Sequence, residues 1–177
     1  MTISADPNTW PSGDPIWNIA RAIAMAEGAN VPGSNPDRLN NPGDISDGVQ
    51  TFGAEFHSGS HVTHFPDKQT GWQWLYNKIQ NAASGASSVF GPTMTWFQFG
   101  QHYAPPNWQV WASNVAAALG VDPNSTLAEY LSPGTAPANV ADPSIDPTTA
   151  GGSGGGDILG ILVVAGLAAW LVARLWS

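Results

Sequence analysis

Between residues 132 and 157 the chain reads SPGTAPANVADPSIDPTTAGGSGGGD, with four prolines, six glycines and no Lys or Arg. Such a stretch buries too little apolar surface to offset the entropy of ordering it, so it is read as a disordered linker. Its Pro-containing start is stiff and its Gly-rich end flexible, with a typical span of about 28 Å. Beyond it comes ILGILVVAGLAAWLVA, residues 158–173, an uncharged apolar run between Asp157 and Arg174. At about 1.5 Å per residue the run covers roughly 24 Å. It crosses a hydrocarbon core of about 30 Å when Leu175 and Trp176 join the span and Arg174 snorkels. A flexible linker leaves this run no soluble core to enter, which predicts one transmembrane helix over 158–176. Four parts follow: an N-terminal extension (1–13), a globular domain (14–131), the linker (132–157) and the membrane anchor (158–176).

The charge of the globular part narrows its partners. Residues 1–131 carry ten acidic against four basic side chains, and the whole chain has a formal net charge of −8. A surface of that sign repels phosphate backbones, so nucleic acid is excluded as a partner. With no cysteine there are no disulfides and no thiolate metal sites. The start, MTISADPNTWPSGD, has neither a basic segment nor an apolar run. No signal peptide is read there, and translocation would depend on the C-terminal anchor or on another route.

Within the domain, Asp14 is a good N-cap, Pro15 suits the first helical position and Gly28 the residue just past the end, which predicts a helix over about 15–27. At 100° per residue Ile16, Ile19, Ile23 and Glu27 share one side, while Asn18, Arg21 and Met25 fall on the other. A Gly- and Asn-rich stretch to about residue 60 leads to a short strand in HVTHF. A second helix is predicted over Gly71–Ala83 with Thr70 as cap, and a short aromatic one near Thr95–Gly100. Another follows over Trp108–Leu119, with Asn107 as cap and Gly120 as stop, and a last small one after DPNS, where Thr126 and Glu129 have capping-box spacing. The class is α+β, mainly α, with a small β-hairpin inserted after the first helix.

Glu27 is the chemically informative residue. On the core-facing side of the helix it loses hydration, and it sits at the negative end of the helix dipole. Both effects disfavour the carboxylate and suit a proton donor. Read alone, Glu27 is more simply a rim residue bonded to a neighbouring backbone amide.

A helix ending in AEG, then NNPGDI, a short hairpin, TGWQWLYNKI, QHYAP and NVAAALGV together resemble the lysozyme-like lytic transglycosylases (muramidases) of bacteriophages and bacteria, over about residues 15–131. The resemblance implies a lysozyme-like fold and a catalytic acid/base at Glu27. It implies that Asn40 and Asn41 help shape a sugar groove, with Asp44 at the end of the same turn. It also implies that Tyr103 bonds the glutamate or the substrate. The substrate would be the glycan strand of peptidoglycan, cut between N-acetylmuramic acid and N-acetylglucosamine without a cofactor. Asn40–Asp44 has a structural reading too, since Pro-Gly is a preferred centre of a type II turn.

Several alternatives stay open. In the lytic route the substrate's acetamido group supports the cation, so one carboxyl group is enough. A hydrolytic route needs a second carboxylate, for which Asp44, Asp47 and Glu55 are candidates. The run HSGSHVTH brings His57, His61 and His64 near one another, but strand alternation points His61 and His64 to opposite faces, so no metal site is assigned. Among the tryptophans, spacing puts Trp72 and Trp111 in the core and leaves Trp74 and Trp108 as platforms for sugar rings. Partners are then peptidoglycan, a lipid membrane and, in a membrane-containing phage, capsid or other virion proteins. Localisation would be the virion membrane or otherwise the bacterial inner membrane. A wall-binding protein without activity and a glycosidase on chitin-like polymers share these features.

Overall fold

The computed structural model describes residues 13–57 and 60–132. Apart from Gly13 and Ser132, the expected extension, linker and anchor lie outside the described residues. The fold is mainly helical with one two-stranded antiparallel sheet. In chain order the elements are α1 Pro15–Ala26, α2 Asn35–Arg38, α3 Val49–Phe52, β1 Ala54–His57, β2 Ser60–Thr63, α4 Lys68–Ser84, α5 Trp96–Tyr103, α6 Trp108–Leu119 and α7 Leu127–Leu131.

Helix α1 starts as its sequence dictates, with Asp14 Oδ1 accepting from the amides of Ile16 at 2.9 Å and Trp17 at 3.4 Å. Glu27 is its C-cap, and Gly28 follows at φ +80°. The two-sided pattern expected of α1 is only half right. Ile19 and Ile23 are buried, but so are Trp17, Asn18, Ala20, Ala22 and Ala24, because α4 and α6 both pack on this helix and α7 brings Tyr130 beside Asn18. Small alanines between the isoleucines let helices approach from more than one side.

Helix α4 begins three residues before its expected start. Asp67, not Thr70, caps it, accepting from the Thr70 amide at 2.7 Å, and Gly85 ends it at φ +74°. Helix α6 has its expected bounds, but Asn107 makes no side-chain cap bond. Helices α5 and α7 each open with a complete capping box, Thr95 with Gln98 and Thr126 with Glu129. Their leading segments join through a Thr95–Thr126 bridge. The short helices α2 and α3 were not expected. Helix α2 is one turn, capped by Ser34 and opened by a proline.

The hairpin pairs Ala54 with Thr63, Glu55 with Val62, Phe56 with His61 and His57 with Ser60. Backbone bonds from Thr63 to Ile45 (3.0 Å) and from Phe65 to Leu39 (3.0 Å) fasten its second strand to the segment after α2.

Two glycines allow that segment to reach the helices. A Cβ on Gly71, in the first turns of α4, would stand 1.8 Å from the carbonyl oxygen of Asn40. A Cβ on Gly43 would stand 2.7 Å from the Tyr103 hydroxyl oxygen and 2.8 Å from Leu75 Cδ1. Backbone cannot yield as a side-chain tip can, so Gly71→Ala is expected to destabilise the chain by about 3 kcal/mol. Denaturant titration of the variant checks this; a midpoint matching wild type contradicts it.

Candidate active site

The Asn40–Asp44 turn forms, but not as a type II turn. Gly43 does not have the positive φ that such a turn requires; Asn40 (φ +54°) and Asp44 (φ +48°) have it instead. The Asp44 amide bonds the Asn41 carbonyl at 3.0 Å. Asn and Asp tolerate the left-handed region better than most residues, which is a local reason for both types at these positions. Gly43 answers to the close approach of Tyr103 and Leu75 rather than to a dihedral angle.

Asn41 is 0 % exposed. Its Nδ2 donates to the carbonyls of Ile45 (2.8 Å) and Thr63 (2.9 Å), and its Oδ1 accepts from the Ile45 amide at 3.0 Å. With its side chain so enclosed, Asn41 orders the turn and ties it to the hairpin. Asn40 is half-buried and donates to the Phe65 carbonyl at 3.1 Å.

Glu27 is half-buried at the end of α1. Its Oε1 accepts a 2.7 Å bond from the indole Nε1 of Trp111, on α6. Trp111 is therefore both a core residue, as its spacing suggests, and part of the site. Its ring lies against Tyr103 with centroids 4.7 Å apart and planes 22° apart, and parallels Phe99 at 6.3 Å and 7°. Phe99 stacks in turn on Phe90 at 4.2 Å. Gly100 lets α5 and α6 close on each other, since a Cβ there would stand 2.9 Å from the Trp108 carbonyl oxygen.

The Tyr103 hydroxyl donates to the Gly43 carbonyl at 2.6 Å, and Glu27 accepts from Trp111. Burial, and then the negative charges of Glu27, Asp44 and Asp47, push the Tyr103 phenol well above its ordinary value. That effect also brings Glu27, Asp44 and Asp47 within electrostatic reach of one hydroxyl group.

The three candidates for a second carboxylate differ in their surroundings. Glu55, on β1, meets Arg38 Nη1 at 2.8 and 2.7 Å. Asp47 meets Lys78 at 2.5 Å. Asp44 is half-buried in the turn itself. Beside Asp47 lies a cleft of about 250 Å³, lined also by Trp74, Asn77, Lys78 and Asn81. Trp74, Lys78 and Asn81 are spaced to fall on one stripe of α4. Asn77, Lys78 and Asn81 were not singled out from sequence, although their spacing from Trp74 was a usable signal.

Trp74 and Trp108 are less open than expected of platforms. Both are half-buried, Trp74 against Phe52 and Phe65 and Trp108 edge-on to Phe97 at 5.7 Å. Only Trp74 lines the cleft. His61 and His64 are exposed on the hairpin, and the side chain of His57 lies outside the described residues.

No family model, curated protein or solved structure matches the chain. The chemistry has to be read from its own geometry. An enclosed phenol ionises late, so the stabilisation tied to neutral Tyr103 is present below about pH 10 and is lost as pH rises from there through the folded-state value. Tyr103→Phe, which removes the titrating group, is therefore expected to flatten the alkaline fall in stability, while losing about 1 kcal/mol at neutral pH with the Gly43 bond. Denaturation midpoints across alkaline pH test this; an unchanged pH dependence in the variant refutes it.

Proposed function

We propose that the chain is a membrane-anchored peptidoglycan lytic transglycosylase of lysozyme-like type, with Glu27 as its acid/base. The observation that carries the reading is the carboxyl group of Glu27, half-buried at a helix end and held by Trp111 Nε1 at 2.7 Å. Its place within the AEG and NNPGDI motifs adds support.

In this reading the Glu27 carboxyl proton passes to the glycosidic oxygen as the bond from C1 of N-acetylmuramic acid breaks. The substrate's acetamido oxygen covers C1. The Glu27 carboxylate then takes the proton of the 6-hydroxyl group, whose oxygen closes on C1 and releases the acetamido oxygen. The product is a 1,6-anhydro sugar, the acid is restored and no water is consumed. A single carboxyl group does both proton transfers, which accords with Asp47 and Glu55 being engaged by cations. The hydrolytic alternative draws on Asp44, within electrostatic reach of the same tyrosine as Glu27. The cleft with Trp74 and its amide neighbours offers an indole face for a sugar ring and amides for its polar edges.

Residues 158–176 would tether this domain to a lipid bilayer through the linker, and in a membrane-containing phage the tether would hold the enzyme in the virion for use on the host wall. Among the described residues no helix is long and apolar enough to cross a membrane.

Glu27→Gln keeps shape and removes the transferable proton, so cleavage of purified sacculi is expected to fall a hundredfold or more with the fold retained. Full activity in a folded variant overturns the assignment, and mass spectrometry of wild-type products separates 1,6-anhydro ends from reducing ends. Deleting Gly151 onward is expected to abolish flotation with liposomes and leave sacculus cleavage intact; a truncated protein that still floats refutes the tether.

A further inference from the structure

Glu27 Oε1 accepts from an indole N–H, a group that donates and cannot accept. A carboxylic acid has one carbonyl oxygen, a strong acceptor, and one hydroxyl oxygen, a weak one. Facing a fixed donor, Oε1 is best satisfied as the carbonyl oxygen, which sends the acidic proton to Oε2. An adaptable donor such as a hydroxyl group would impose no such choice.

The indole has little freedom to turn away. Trp111 is 5 % exposed and packs on both Tyr103 and Phe99, with interplanar angles of 22° and 7°, and those two rings also stack on each other. Tyr103 is itself pinned by its 2.6 Å bond to Gly43. Rotating the indole would break both stacks, so its N–H stays aimed at Glu27.

We propose that Trp111 is a positioning residue that fixes the protonation geometry of Glu27, keeping Oε1 as acceptor in both ionisation states so that the transferable proton is carried on Oε2. That this proton goes to a glycosidic oxygen rests on the function proposed above; the coupling of indole and carboxyl group does not.

The ionisable groups of the surrounding elements are few. Helix α6 has none, and α5 brings Tyr103 and the exposed His102. On α4, Lys68 bonds Asp37, Tyr76 bonds Asp14 at the far end of α1, and Lys78 bonds Asp47. Asp44 and Asp47 act on Tyr103 from the turn side. Arg21, on α1 itself, projects about 120° away from Glu27.

Because the indole bond strengthens the ionised form, its removal makes Glu27 a weaker acid. Carboxyl-carbon NMR of the full-length protein in detergent follows Glu27 directly. In Trp111→Phe its ionisation constant is expected to fall roughly tenfold, with the midpoint moving to higher pH. The alkaline limb of sacculus cleavage, set by loss of the acid, is expected to move the same way while the maximal rate falls. In wild type the Trp111 indole N–H resonance should titrate with the Glu27 midpoint and lose that step in Glu27→Gln, a readout that does not need Trp111→Phe to fold. A folded Trp111→Phe protein with an unmoved Glu27 midpoint, or a wild-type indole resonance without the shared step, overturns the proposal. If the two groups titrate together but wild type leaves sacculi intact, the coupling stands and the glycan-cleaving reading falls.

Discussion

Nearly every position of α1 from Trp17 to Ala24 is buried, and this near-complete enclosure of one helix governs where chemistry can happen in the domain. The one charged side chain in that span, Arg21, is only half-buried, since full enclosure of a charge carries a large desolvation cost. Apart from Arg21, it is the two ends of α1 that leave the core. Asp14 occupies one end as a cap, and Glu27 occupies the other, where the chain turns through Gly28 and α6 comes close enough for an indole to meet the carboxyl group. Packing of the helix thus places the Glu27 carboxyl group.

What fixes the site is a set of rigid groups rather than a network of flexible polar ones. Phe90, Phe99, Trp111 and Tyr103 stack across α5 and α6, each with few rotatable bonds, so little side-chain entropy is lost in holding them still. The polar atoms of this assembly face the Asn40–Asp44 side and the end of α1: the phenol donates to Gly43 and the indole donates to Glu27. A lysine or arginine in place of the indole would bring a full charge and a long, mobile stem. The indole brings one donor, fixed in direction, and no charge of its own.

Much of this was legible in the sequence, and the failures have physical causes. The ends of α1 and the bounds of α6 followed from caps and glycine stops, and the capping box of Thr126 and Glu129 formed as its spacing implied. The start of α4 was missed because Asp67 and Thr70 are both acceptable caps, and local chemistry does not choose between them. Helical periodicity puts Asn18 on the outer side of a one-faced helix, but α1 is covered on several sides and Asn18 is buried. For Asn41 the sequence alone does not tell an amide that orders backbone from one that meets a ligand; here it is buried and bonded to the backbone of Ile45 and Thr63. The Trp111–Glu27 bond joins residues 84 apart and has no local signature at all.

The two glycines of the turn and α4 show how far a residue type can be right for a different reason. Pro-Gly at residues 42–43 invites a type II turn, in which glycine supplies a positive φ. Here positive φ falls on Asn40 and Asp44, and Gly43 leaves room for the Tyr103 hydroxyl and for Leu75. Gly71 likewise lies inside a helix, where glycine is intrinsically unfavourable by about 1 kcal/mol, because Asn40 presses its carbonyl oxygen onto the helix backbone. Both glycines serve one contact surface. The turn is held against α4 at Gly71 and against α5 at Gly43, while Asn41 ties it to the hairpin. A turn fastened on three sides cannot move independently of Tyr103, and Tyr103 is stacked on the residue that holds Glu27. The carboxyl group at the end of α1 is therefore in mechanical register with a loop it need not touch.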